Sequence, residues 1–283
     1  MRHLEFAPAK LNLWLKVQEK REDGYHEIET LIVPIATIKD DLHFDLNLGE
    51  GELIFECNDT SLGLDCENLV LQALNAFQCE TGNRVYGKIR LVKRIPIGAG
   101  LGGGSSDAAA TLRTINKILE CPLPLDVLYS LAASIGSDVP FFLEGSPAIC
   151  SGRGEKIQLL EDLVPVQPVV LVKPGFGISS AWAYSKWSEA EVLPDVNYAP
   201  QVAAWGELYN DLEVPVFQKY LCLANMKMWL LQQVESEIAL MSGSGSTLYA
   251  LCRHFDDANR LVEKIRAEFG PNLWTAVTSI GDE

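Results

Sequence analysis

From Pro8 to Val17 the side chains alternate. Leu11, Leu13, Leu15 and Val17 fall on one side, and Lys10, Asn12, Trp14 and Lys16 on the other. A period of two predicts a strand with one buried face. Asp23-Gly24 is a turn signal, and the segment through Ile35 reads as a second strand. Residues 41–56 read as further strand and turn. The period then changes: Leu69, Val70, Ala73, Leu74 and Phe77 recur three and four apart, which predicts a helix over 67–77. A strand at 87–96 runs into a glycine-rich segment. Ala108, Leu112, Ile115 and Leu119 mark one face of the helix behind it. Leu128, Leu131, Ala132 and Ile135 mark another helix, which Gly136 closes.

Residues 154–168 mix polar, proline and short apolar stretches, and a domain boundary is expected there, dividing the chain into 1–157 and 158–283. Beyond it the pattern predicts a strand at 169–172, helices from Ser179 and through 207–233, and a strand ending at Met241. A strand at 247–252 follows, then a helix carrying Ala258, Leu261, Val262, Ile265 and Phe269, and a last strand at 274–280. Strands and helices mixed without strict alternation predict an α+β chain.

Composition narrows the functions. The 283 residues are 48% hydrophobic and 22% charged, which suits one large or two ordinary globular domains. A formal net charge of -15 repels nucleic acid and anionic membranes at long range, yet leaves a small phosphorylated ligand free to bind in a local pocket. Seven widely spaced cysteines, including Cys66 and Cys121, with no CxxC, read as free thiols of a reducing cytoplasm. The four histidines form no metal-binding pattern. No apolar run approaches the ~18 residues of a membrane helix, and no apolar secretory signal is evident at the N-terminus. A cytoplasmic location is expected, as monomer or homodimer, with no nucleic-acid or membrane partner.

The chemistry concentrates at Pro96-Ile97-Gly98-Ala99-Gly100-Leu101-Gly102-Gly103-Gly104-Ser105-Ser106. Five glycines in seven residues let the backbone turn with positive φ and approach a ligand closely. The segment opens a helix, whose free N–H groups and dipole favour an anion, and either serine is a candidate N-cap. A phosphate cradle is the reading. The competing reading is a flexible turn with a serine cap, for which one glycine would suffice. No GK[ST] follows, so the loop is not a Walker A motif. Gly98, Gly100 and Gly103 satisfy GxGxxG, but a proline-containing loop and another helix stand where a dinucleotide fold needs a strand. The catalytic-loop and metal-binding signatures of protein kinases are absent.

The glycine loop resembles the PxxxGLGSSAA signature of the GHMP kinases. PAKLNLWL at 8–15 and SGSGSTLYAL at 242–251 resemble that family's N- and C-terminal motifs, in the same order. Within the family, GLGGGSSDAA, DGYHEIETL at 23–31, SDVPFFLEG at 137–145, SGRGEKI at 151–157 and NDLE at 210–213 are similar to the diphosphocytidyl-methylerythritol kinases. Trp14 stands where a smaller apolar residue is usual, and the 179–184 stretch fits loosely.

The resemblance implies two domains, the first like ribosomal protein S5 domain 2 and the second ferredoxin-like, with the active site in the cleft between them. It implies ATP as co-substrate with Mg2+, and a cytidine diphosphate sugar-alcohol as phosphoryl acceptor. Asp138 would accept or orient the hydroxyl proton, and Lys10 would hold Asp138 ionised and offset phosphoryl charge. Without the resemblance, Asp138 reads as a turn residue before Pro140 and Lys10 as a solvated strand lysine. Asn12 shares the face of Lys10 and is assigned to substrate contact. Tyr25 and His26 would read the cytosine, with Tyr184 as the opposing aromatic; Tyr184 also fits a helix core, and His26 a cap or surface position. Asn68 and Lys93 match positions near the adenine, with helix capping and a solvated strand end as rivals. Asp211 reads as structural or substrate-adjacent. Gly243, Ser244 and Gly245 are expected opposite the first loop, closing the site, unless they form a plain β-turn. No metal ligand is assigned. Two alternatives stay open: a GHMP kinase for another small alcohol such as homoserine, and an inactive nucleotide-binding protein on the same fold.

Overall fold

The computed structural model describes residues 1–62, 67–118, 123–160 and 164–281. Leu119, Cys66 and Cys121, and residues 161–163 of the expected boundary stretch, lie outside the described residues.

Two long antiparallel strands, β1 (Arg2–Lys20) and β2 (His26–Leu48), turn at Asp23-Gly24, where Gly24 takes φ +87. They anchor a six-stranded sheet with β3 (Leu53–Cys57), β4 (Val85–Val92), β5 (Ala148–Gly152) and β6 (Lys156–Leu159). Besides β1, β2 pairs with β5 along its first half and with β4 along its second. Four helices, α1 (Leu69–Thr81), α2 (Gly103–Ile118), α3 (Leu125–Ile135) and α4 (Val139–Glu144), pack on this sheet around a core that includes Phe44, Phe77, Ile89, Leu112 and Phe141.

The second half runs β7 (Gln167–Lys173), α5 (Ser180–Lys186), a small hairpin β8 (Gln201–Ala203) and β9 (Gly206–Leu208), then α6 (Glu213–Lys219) and α7 (Leu221–Leu231). It ends with β10 (Ile238–Met241), β11 (Leu248–Leu251), α8 (Phe255–Phe269) and β12 (Trp274–Ile280). The order β10-β11-β7-β12, all antiparallel, is the ferredoxin-like arrangement. The chain leaves the first sheet after Leu159 and enters the second at Gln167, so the expected division after 157 falls inside β6.

The two sheets share a core of their own, in which Leu11, Leu13, Val33 and Ile35 pack with Leu171, Tyr249 and Leu251. A register shift between Asn12 and Trp14 then turns Leu15 and Val17 into the second core, beside Leu212 and Phe217. The expectation of one buried face on β1 is therefore too simple. The second sheet covers one side, and the glycine loop and α4 roof the other, so Lys10 and Asn12 are buried as well.

Val139–Glu144 forms a short helix, because Pro140 suits the first turn and Gly145 (φ +68) ends it. Two further elements differ from expectation. The expected boundary stretch begins with β6. The 207–233 region starts as a strand and then breaks into two helices at Tyr220, whose φ and ψ of -115 and 72 are not helical. Among the described residues no helix is long and apolar enough to cross a membrane.

Candidate active site

A cavity of about 830 Å³ runs between the two halves, bounded by the glycine loop, β1, the Asp23-Gly24 turn and α5. Gly98, Gly100 and Gly102 hold φ of +60, +74 and +71, the left-handed region that glycine enters without strain. Close approach decides two of them. A Cβ at Gly100 would stand 2.2 Å from the Ser242 carbonyl oxygen, and one at Gly102 would stand 2.7 Å from the Phe142 ring and 2.9 Å from Cγ of Lys10. The helix α2 starts at Gly103, so Ser105 and Ser106 lie inside its first turn and neither is its N-cap. The loop's glycines thus serve both to turn the chain and to let other backbone press against it.

That backbone is the second glycine loop. Thr247 donates its N–H to Ala99 (3.1 Å), Ser246 to Gly98 (3.4 Å), and the Ser242 hydroxyl donates to Gly100 (3.0 Å). The second loop therefore lies against the first and supports it, contrary to the expectation that it closes the site from the opposite side. Gly243 and Ser244 still line the cavity; Gly245 does not, and a Cβ there would meet Met241 and Ile178. Asn210 seats this loop by donating to Met241 and Gly243 carbonyls, both at 2.7 Å. Of its neighbours in the same motif, Asp211 ties the second half to β1 and Glu213 braces the second half internally. Asp211 accepts from the Val17 N–H (2.8 Å), and Glu213 accepts from Met241 (2.8 Å) and pairs with the fully buried Lys227 (2.5 Å).

Lys10 enters the cavity from β1, and its own N–H donates to Leu101 of the glycine loop (3.0 Å). Its ammonium donates to Asn12 Oδ1 and lies 3.4 Å from Asp138 Oδ2. The Lys10 side chain is 4% exposed and that of Asp138 35%, so the cation is fixed inside while the carboxylate opens to the cavity. Asp138 stands at the start of α4 but makes no capping bond there, so its carboxylate is not committed to the helix. The Asn12 amide nitrogen donates to Thr30 Oγ1 (2.9 Å), so its oxygen is turned toward Lys10. Thr30 falls within a motif segment, but only strand pairing places it beside this pair.

At one end of the cavity, Asn68 caps α1 by accepting from Val70 (3.0 Å), and it lines the wall together with Leu62, Leu69 and Leu91. Lys93 also lines the wall but is not a solvated strand end. Its ammonium donates to Asp40 and to Asp107 Oδ2 (2.7 Å) below the start of α2. Burial, opposed by Lys93 and abetted by the Asp40 charge, pushes the Asp107 carboxyl up to about 8. Ser106, behind this group, is buried and does not reach the cavity surface, whereas Ser105 does.

The other end is aromatic. The His26 ring stacks on Tyr184 (6.1 Å, 22°) and meets Trp187 edge-on at 5.8 Å. Burial, then Lys20, pull its imidazole below the usual value, favouring the neutral ring that can both donate and accept. Tyr25 is 52% exposed, with the Arg153 guanidinium 4.8 Å over its ring. Among the described residues no group of three or more His, Cys, Asp or Glu side chains could cage a metal ion.

The GHMP kinases N terminal domain profile matches residues 68–146, and the GHMP kinases C terminal profile residues 223–272. The chain is 40% identical to the 4-diphosphocytidyl-2-C-methyl-D-erythritol kinase of Methylacidiphilum infernorum, over 97% of this chain and 96% of that one. A crystal structure of 4-(cytidine 5'-diphospho)-2C-methyl-D-erythritol kinase superposes with a TM-score of 0.77 at 33% identity, covering 100% of both chains. Homoserine kinase from Cytophaga hutchinsonii, at 17% identity and TM-score 0.59 over 99% of this chain and 94% of that one, shares the fold. By near-full-length identity, then, this chain belongs to the 4-diphosphocytidyl-2-C-methyl-D-erythritol kinases of the GHMP kinase superfamily.

Proposed function

We infer that the chain transfers the γ-phosphoryl group of ATP to the 2-hydroxyl of 4-diphosphocytidyl-2-C-methyl-D-erythritol, giving the 2-phosphate and ADP, in the non-mevalonate route to isoprenoid precursors. One observation carries the reading. The Lys10–Asp138 pair, at 3.4 Å, sits in a single cavity between a phosphate-type glycine loop and an aromatic end able to receive a base.

The nucleotide phosphates would rest on the glycine loop at the start of α2, where free N–H groups and the helix dipole offset negative charge. Its base would lie toward Asn68 and Leu69. The acceptor's cytosine would lie at Tyr25, His26 and Tyr184, bringing its alcohol to Asp138. Asp138 accepts or orients the hydroxyl proton as the oxygen attacks. Lys10 keeps that carboxylate ionised and offsets charge on the transferring group, and Asn12 orients Lys10. Magnesium would enter with ATP, held chiefly by phosphate oxygens and water, since no side-chain cage stands among the described residues. It would neutralise phosphate charge during transfer.

ADP release coupled to the diphosphocytidyl substrate, set against homoserine and mevalonate under the same conditions, tests this reading. Turnover with the cytidyl alcohol alone is expected; turnover with another alcohol in its place would overturn it. Homoserine kinase shares the fold only, at 17% identity, so it supplies no rival substrate.

A further inference from the structure

Arg153 has no part in the chemistry above, yet it lines the cavity at the aromatic end. It sits in the tight turn between β5 and β6, flanked by Gly152 (φ +75) and Gly154 (φ +119). The turn is pinned on several sides. The Arg153 N–H donates to Glu155 Oε2 (2.6 Å), the Gly152 N–H donates to Glu27 Oε1 (3.1 Å), and the guanidinium donates to the Ala133 carbonyl (3.1 Å). So held, the guanidinium lies 4.8 Å over the Tyr25 ring. Tyr25 itself is on the β1–β2 turn and is half exposed.

We propose that Arg153 is a specificity-determining positioning residue: its guanidinium backs one face of Tyr25 and so presents the other face to the base of a cytidyl substrate. The proposal rests on the substrate reading above. An unsupported tyrosine on a turn samples several rotamers, and stacking a base on it must first select one. A planar cation on the ring makes that selection beforehand and adds a cation–π attraction. The Glu155 carboxylate, 4.0 Å from the guanidinium Nε, and the Ala133 carbonyl keep the guanidinium in place when the site is empty. Because Arg153 acts through Tyr25, its contribution vanishes when the ring is removed.

The test is steady-state kinetics of ADP release with the diphosphocytidyl substrate, on wild type, Arg153→Ala, Arg153→Lys, Tyr25→Ala and the Tyr25→Ala/Arg153→Ala double variant. Arg153→Ala should raise KM for the cytidyl substrate about 2- to 5-fold, the fold-change of an exposed cation–π contact. KM for ATP and kcat should hold within about 2-fold. Arg153→Lys should recover part of the loss. The double variant should have the KM of Tyr25→Ala alone. An unchanged cytidyl KM in Arg153→Ala, equal rises in both KM values, or losses that multiply in the double variant would each overturn the proposal. Absence of turnover with the cytidyl substrate in wild type would overturn the substrate reading and this proposal together, which separates that failure from the others.

Discussion

Asp138→Asn keeps the size of the side chain and one acceptor oxygen while removing its negative charge. The Lys10 ammonium stands 3.4 Å from Oδ2. At an effective dielectric of about 20 the two charges attract by about 5 kcal/mol, an upper bound because the carboxylate is partly open to water. Proton acceptance or orientation by such a group is worth about 10²–10⁴ in rate. We expect kcat to fall at least about 100-fold, with KM for both substrates within about 3-fold, since the lost interaction acts in the transition state. Stability should drop only modestly, by about 1–2 kcal/mol, because asparagine still accepts from Lys10 and Asn12 Oδ1 remains. The burial asymmetry makes a further demand. Asp138→Ala strands a buried ammonium, whereas Lys10→Met leaves only a carboxylate that water can reach, so Asp138→Ala should melt at the lower temperature. The double variant should lose far less rate than the product of the single losses. Coupled ADP release and scanning calorimetry read these quantities. An Asp138→Asn enzyme that keeps more than about a tenth of the wild-type kcat would refute the catalytic role.

Three other outcomes follow from the loops and the buried acid. Gly100→Ala would place Cβ 2.2 Å from the Ser242 carbonyl, forcing the two glycine loops apart, so ATP affinity should fall at least about 10-fold by calorimetry; wild-type affinity would show the contact to be dispensable. Asn210→Ala withdraws the donor from two carbonyls of the second loop and should cost about 1–3 kcal/mol of stability together with kcat, so an unchanged melting temperature would count against its anchoring role. Asp107 is held neutral by burial up to about pH 8 from an ordinary value of 3.8. Between those values the unfolded chain has lost the proton that the folded chain keeps, so this group's contribution to stability is fully present at low pH and is lost as pH rises. That contribution declines by up to about 1.4 kcal/mol per pH unit until about pH 8. Asp107→Asn should flatten the fall in Tm between pH 6 and 8; an unchanged slope would place the titration elsewhere.

Local chemistry made part of this molecule legible in the chain alone. Alternation defined β1, three- and four-residue spacing defined α1, α2 and α8, and a run of glycines before a helix announced an anion site, because each depends on residues close in sequence. The motif resemblance supplied the pairing of Lys10 with Asp138, which lie on different elements. What periodicity could not carry was set by distant partners. Lys10 reads as a solvated strand lysine until the glycine loop and α4 roof it. Lys93 reads as an exposed strand end until Asp40 and Asp107 close around its ammonium. The second glycine loop reads as a lid, but hydrogen bonds from Thr247, Ser246 and Ser242 make it the floor beneath the first. Thr30 and Arg153 fall within motif segments, but no role for either was legible there, since each gains its place only through a neighbouring strand or ring. Backbone propensity and side-chain spacing decide elements within a few turns of chain. Burial, ion pairing and which backbone lies against which are settled only when separate elements of the chain pack together and exclude water.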